Sequence, residues 1–75
     1  MQKGQLVIVF WDDIQAILHT DEDLNLAPAK SVGWVRRNNK KALELENSCY
    51  LDGSKVRDGI TIPKGCINKI IEIGT

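Results

Sequence analysis

The residues best suited to chemistry in this sequence of 75 residues are one histidine and two cysteines. His19 stands alone, whereas acid–base and nucleophilic catalysis both need an activated group with a partner beside it. Cys49 and Cys66 lie far apart with no C-x-x-C pair, so they and one distant histidine fall short of a structural zinc set. No glycine-rich phosphate loop is present. We therefore expect no enzyme activity, no cofactor and no bound metal.

Acidic residues form two clusters, Asp12-Asp13 and Asp21-Glu22-Asp23, which are the remaining candidates for a cation site. Their spacing does not match a calcium loop, which needs alternating ligands and a distal glutamate. Negative charge at the start of a helix is the simpler role, because it complements the helix dipole. The sequence favours that structural role.

The two cysteines also bear on the cellular compartment. Nothing in the sequence indicates secretion, and no apolar run approaches the ~20 residues of a membrane span. We expect a cytoplasmic protein with reduced thiols. Both cysteines stand beside apolar residues, which favours burial as inert side chains, but a disulfide stays open if their strands are neighbours.

Positive charge is concentrated around a pair of asparagines. The net charge of the chain is zero, yet residues 1–26 carry −4 and residues 27–41 carry +5. A basic hairpin can bind phosphates or enter a groove, whereas single-strand binders usually stack bases on exposed aromatic side chains, which are few here. The charges either keep loops solvated or steer an oriented partner. The candidate binding residues are Arg36, Arg37, Asn38, Asn39, Lys40 and Lys41.

The element that would position these residues is a β-hairpin from Ser31 to Glu46. If Asn38-Asn39 forms a two-residue turn, Trp34 lies opposite Leu43 and Val32 lies opposite Leu45. These four apolar side chains then share one face, which we predict to be buried.

Residues 6–11 (LVIVFW) form a continuous apolar run, typical of a strand covered on both faces. Leu6, Ile8 and Phe10 share one face, and Val7, Val9 and Trp11 share the other. Only one set can point into a small core, so the other must meet a covering segment or another subunit. The residues predicted to form such an interface are Val7, Val9, Trp11, Ile14, Ile17 and Leu18.

Residues 12–30 are the natural cover for this strand. Asp12 or Asp13 can cap a short helix in which Ile14, Ile17 and Leu18 recur at helical spacing. A proline at position 28 ends any helix before it. The segment is either a lid over the first strand or a loop that binds a partner, and the two roles are compatible.

The remaining segments predict three more strands. Asn47–Leu51 continues or bends the strand after the hairpin, and Ile60–Ile62 alternates as a fourth strand. Pro63–Cys66 breaks the pattern, with Gly65 permitting a tight turn, and Ile70–Ile73 makes a short last strand.

We therefore predict one domain over residues 1–75 of a mainly β class. It is a small five-stranded antiparallel barrel, SH3-like or Sm-like, with a short helical excursion between strands 1 and 2 and a single helical turn before the last strand. The alternative is an open antiparallel sheet packed on a short helix from residues 13–26.

Three motifs carry a resemblance: V-x-x-x-W-D near the start, SVGW at Ser31–Trp34, and IPKGCI at Ile62–Ile67 followed by Ile70. Together they resemble a set of small proteins from bacteriophages and bacterial genomes, for which no activity is established. The resemblance covers most of the chain outside residues 14–28. It implies a small cytosolic protein of viral or bacterial origin, and it transfers no catalytic residues.

Two functions remain as hypotheses. The first is a non-catalytic binding module that recognises a protein or assembles with itself, and the resemblance implies a host factor as its target. The second is an Sm-like oligomer that binds RNA or a small nucleotide through the basic hairpin. Neither hypothesis involves a membrane.

Overall fold

A computed structural model describes the backbone of residues 1–15 and 25–74, and all of these side chains except those at positions 14, 15, 25, 26 and 56. Five strands form one antiparallel sheet with the order β4-β3-β2-β1-β5. The mainly β prediction with five antiparallel strands is confirmed. A single 3-10 turn, Lys64–Cys66, stands where a helical turn was predicted before the last strand. The strands are β1 (Leu6–Gln15), β2 (Asn25–Asn38), β3 (Ala42–Cys49), β4 (Val56–Pro63) and β5 (Ile67–Gly74).

The sheet is open, so the predicted barrel is wrong. Strands β4 and β5 are its two edges, and no ladder joins them within the described part of the chain. The 3-10 turn nevertheless links the end of β4 to the start of β5. Four peptide steps span at most about 14 Å, whereas the edges of a flat five-stranded sheet lie about 19 Å apart. The sheet is therefore curved enough to bring its edges close at this corner.

The core lies on the inner side of this curved sheet. Val35, Leu43 and Leu45 come from the central hairpin, and the burial predicted for the two leucines is confirmed. Leu43 lies opposite Ile62 and Leu45 lies opposite Ile60, so β3 and β4 present one continuous apolar face. The fully buried apolar residues are Val7, Val9, Val35, Leu43, Leu45 and Ile62, with Trp11, Ile60, Ile67 and Ile70 packed against them.

The helix predicted to start at Asp12 or Asp13 is wrong. Strand β1 continues to Gln15, where its backbone pairs with Asn25 of β2. Pro28 lies inside β2, in a stretch that pairs with β1 but not with β3 among the described residues. Its missing N–H therefore removes no hydrogen bond to β3. Other predictions for this stretch fall on Ile17, Leu18, His19 and the cluster Asp21-Glu22-Asp23, which lie outside the described residues.

The central hairpin exists, but its predicted register is wrong. Asn38 pairs with Leu43, while Trp34 pairs with Glu46, and a bulge near Arg36 separates these two registers. The loop is Asn39–Lys41 rather than Asn38-Asn39.

The side chain of Asn39 explains the position of this loop. Its Oδ1 accepts hydrogen bonds from the backbone N–H groups of Lys41 (2.9 Å) and Ala42 (3.0 Å), a turn that asparagine favours. The resulting register places Trp34 and Val32 on the side of the sheet away from Leu43 and Leu45.

Candidate functional site

The face of the sheet opposite the core carries a patch of apolar side chains on three adjacent strands. Across β1 and β2, Leu6 lies opposite Trp34 and Ile8 lies opposite Val32. Across β1 and β5, Ile8 also lies opposite Ile71. Side chains on directly opposed residues point to the same face, so the rows form one surface. We call it the outer apolar patch, and its paired members are Leu6, Ile8, Phe10, Val32, Trp34 and Ile71, with Ile73 as the extra residue at the shift in register next to Leu6.

This patch is open to solvent in the described structure. The exposed fractions are 46% for Val32, 37% for Trp34, 38% for Ile71 and 52% for Ile73. The three members on β1 are half-buried. Single exposed apolar residues are normal, but a contiguous group on one face, rimmed by charges, is typical of an interaction surface.

Two members of the predicted interface on β1 face the core of the chain. Val7 and Val9 are fully buried in the chain's own core, so their side chains are not available to a partner. Trp11 packs against the same core, and its Nε1 donates a 3.0 Å hydrogen bond to the Ser31 hydroxyl. The predicted member Ile14 lies on β1, but nothing is described of its side chain, and Ile17 and Leu18 fall outside the described residues.

Small residues on β2 lie opposite the inward-facing valines of β1. Gly33 lies opposite Val7, and Ser31 lies opposite Val9. A Cβ on Gly33 would come 2.7 Å from the Glu46 carbonyl oxygen, so β2 and β3 approach closely at this point. The glycine of the SVGW motif was the available signal, because an isolated glycine in a strand often marks a close backbone approach.

The outer apolar patch has a basic end and an acidic end. At one end Lys30 and Lys69 both lie opposite Phe10, from the two neighbouring strands. The Lys69 ammonium lies 5.9 Å from the centre of the Phe10 ring, within reach of a cation–π interaction. At the other end Glu46 lies opposite Trp34. The patch therefore has an apolar centre, with Glu46 at one end and the two lysines at the other, where Asp12 is the next residue of β1 on the same face.

The residues of the predicted basic site lie at the tip of the β2–β3 hairpin, and part of their charge is paired. Arg36 and Arg37 approach the Glu44 carboxylate at 3.9 and 3.2 Å. Asn38 is an exposed residue at the end of β2, and the Asn39 side-chain oxygen is occupied within the loop. The predicted members that remain are Lys40 and Lys41, which are exposed in the loop and make no ion pair with the described residues.

A shallow cleft next to this tip has mixed charge. Arg36 and Arg57 line it together with Glu44 and Asp58. Because two basic and two acidic groups face the same space, the cleft has no net charge that would select an anion or a cation.

The cysteines do not form a site. Cys49 is exposed and Cys66 is half-buried, and both are free thiols, so the predicted burial is wrong for Cys49. Among residues 1–15 and 25–74, no three histidine, cysteine, aspartate or glutamate side chains are grouped so that they could hold a metal ion. The same residues include no helix with the length and apolar character needed to cross a membrane.

The outer apolar patch is thus an apolar surface on three adjacent strands that the described part of the chain leaves uncovered. Comparison of the chain with protein-family models, curated proteins and solved structures gave no significant match.

Proposed function

We propose that this chain is a non-catalytic module that binds protein through its outer apolar patch. The observation that carries the proposal is the exposure of Val32, Trp34 and Ile71 on one face of the sheet. Protein interfaces have this composition, with aromatic and aliphatic anchors at the centre and a charged rim. A partner of this kind also supplies the cover that the doubly apolar first strand requires.

The expected affinity follows from the size of the patch. Complete burial of such a side chain is favourable by about 1.5–3 kcal/mol, and the exposed members already have part of their surface covered. Association must also offset a cost of several kcal/mol in lost translational and rotational freedom. The exposed apolar members alone therefore leave little net free energy for association, and micromolar binding, which needs about 8 kcal/mol, also requires complementary charges at the rim.

The test compares charged substitutions on and off the patch. Val32→Lys and Ile71→Lys place a charge on the patch, whereas Leu51→Lys makes a similar change at a fully exposed position outside it. Each immobilised variant is exposed to extract from the native cell. Captured proteins are then purified and titrated against each variant by calorimetry.

We expect the wild type and Leu51→Lys to bind the same partner, and both patch variants to lose at least about tenfold in affinity. Equal binding by all four proteins would contradict the proposal. Circular dichroism and thermal unfolding verify that every variant is folded.

Binding of RNA or a small nucleotide through the hairpin tip is the second candidate. The exposed loop residues Lys40 and Lys41 favour it, whereas the pairing of Arg36 and Arg37 with Glu44 counts against it. Fluorescence anisotropy with RNA, DNA and cyclic nucleotides at several salt concentrations tests this candidate. Affinity that falls steeply with salt and is lost in Lys40→Glu/Lys41→Glu would replace the first proposal with this one.

A further inference from the structure

We propose that the partner of the outer apolar patch is a second copy of this chain, bound face to face about a twofold axis. This inference rests on the proposed function, since it identifies the protein that the patch binds. A twofold interface must be complementary to itself, so a charge at one end of the patch is matched best by the opposite charge near the symmetry-related position. Lys30 and Glu46 meet this condition, whereas Lys69 comes onto Gly74 of the partner subunit and its charge is unmatched.

The patch consists of three cross-strand rows. The first row contains Trp34 and Leu6, with Glu46 beside Trp34 on β3. The middle row contains Val32, Ile8 and Ile71. The third row is Lys30, Phe10 and Lys69. Acidic charge therefore lies beside the first row and basic charge in the third, with an uncharged row between them.

A twofold axis along the middle row brings the first row of one copy onto the third row of the other. Glu46 then lies near Lys30 of the partner subunit, and Leu6 packs on Phe10 of the partner subunit. Trp34 comes close to Lys30 of the partner subunit, where a cation–π interaction adds to the attraction. The middle rows contact each other on the axis, and all contacts occur twice.

The other simple face-to-face arrangement has its twofold axis parallel to the strands. That axis would place Lys30 on Lys69 of the partner subunit, because these two residues lie on either side of β1 at the same end of the patch. Two like charges would then be brought together twice at the interface, which disfavours this arrangement. The charges thus select one of the two orientations.

The area available sets the strength of the dimer. Three strands at about 4.8 Å spacing and five residues along each strand cover only a few hundred Å². A standard interface buries about 800 Å² on each partner, so we expect a reversible dimer with a dissociation constant on the order of ten micromolar.

Sedimentation equilibrium of the purified full chain measures this equilibrium over concentrations from about tenfold below to about tenfold above that value. For the wild type we expect a dimer fraction that rises with concentration. Val32→Lys and Ile71→Lys should each leave a monomer over the whole range, whereas Leu51→Lys should dimerise like the wild type. Two patch variants are used so that the result does not depend on the folding of either one, and circular dichroism verifies both.

Charge reversal tests the orientation. Glu46→Lys and Lys30→Glu should each weaken the dimer by about tenfold at low salt, since each replaces two attractive pairs with two repulsive pairs. The double variant, Glu46→Lys with Lys30→Glu, restores both copies of the ion pair with the charges exchanged. It should recover the wild-type affinity of the dimer to within about threefold.

A wild type that is monomeric over the full range, or a dimer that persists in Val32→Lys and Ile71→Lys, would overturn the inference. Failure of the double variant to recover after each single variant weakened the dimer would overturn the twofold arrangement. A monomer that captures a different protein in a patch-dependent way would leave the proposed function standing and remove this inference alone. A monomer that captures nothing would remove both.

Discussion

The side-chain amide of Asn47 donates a 2.6 Å hydrogen bond to the backbone carbonyl of Val32. This bond continues the contact between β3 and β2 beyond the last paired residues, Trp34 and Glu46. The hydrogen bond requires a glycine at position 33. A Cβ on that residue would lie 3.2 Å from the side-chain nitrogen of Asn47 and 2.7 Å from the carbonyl oxygen of Glu46. The glycine is therefore needed for space.

Gly33→Ala should destabilise the protein by about 1–3 kcal/mol, because the added methyl group forces β2 and β3 apart or displaces Asn47. Gly65→Ala is the matched control, since a Cβ there meets no atom within 4 Å and the residue does not have a positive φ. Its effect should stay within about 0.5 kcal/mol. Urea unfolding measures both, and equal stability of the two variants would contradict the close approach at Gly33.

Leu43→Ala should cost about 2–5 kcal/mol of unfolding free energy, because this side chain is fully buried and leaves a cavity. Trp34→Ala should cost only about 1–2 kcal/mol, since the tryptophan lies on the outer face and is partly in water. The register predicted from sequence places both side chains in the core, so it predicts a cost of about 3–5 kcal/mol for Trp34→Ala as well. Chemical denaturation of the two variants at low protein concentration distinguishes the registers, and a larger loss for Trp34→Ala would contradict the observed one.

Asn39→Ala should destabilise the hairpin by about 1 kcal/mol, because the N–H groups of Lys41 and Ala42 lose their common acceptor. Asn39→Asp keeps an oxygen in the same place and should retain most of the stability. The neighbouring Asn38→Ala is the control, since no side-chain hydrogen bond is described for Asn38. Thermal unfolding of the three variants measures the loss of stability. A greater loss of stability in Asn38→Ala than in Asn39→Ala would contradict the observed loop and favour the predicted two-residue turn.

The Asp52 carboxylate should titrate below its ordinary range. It accepts a 2.9 Å hydrogen bond from the Ser54 backbone N–H, and this bond, followed by one from the Ser54 hydroxyl, lowers the pKa of Asp52 by favouring the charged form. A lowered pKa in the folded state stabilises the turn above the pKa of the unfolded chain. That contribution is lost as the pH falls through the folded-state value.

Carbon-detected NMR titration measures the pKa of Asp52 directly. In Ser54→Ala the hydroxyl bond is lost and the backbone bond remains, so the pKa of Asp52 should rise part of the way towards its ordinary value. A wild-type pKa at or above the ordinary value would show that this hydrogen bond is absent in solution.

The fold class and most strand positions could be predicted because alternation and turn chemistry act over a few residues. The apolar run from Leu6, the alternating Leu43 and Leu45, and the break at Pro63 all lie where the pattern places them. The helix predicted after Asp12 failed because pairing with β2 overrides a weak local helical spacing. For the candidate site, the sequence predicted that β1 takes part but did not predict which face of β1 is exposed. Both faces of β1 are apolar, so either face would need a cover if it pointed outward.

The alternation of side chains along β1 and β2 was sufficient to divide them into two faces. Both faces of β1 are apolar, so the alternation does not decide which face is buried and which is exposed. The choice between the faces depended on long-range contacts: the close approach at Gly33, the bulge near Arg36 and the loop held by Asn39. A shift of one residue in strand pairing exchanges the two faces, so these few contacts placed Val7 and Val9 in the core and Val32 and Trp34 on the surface.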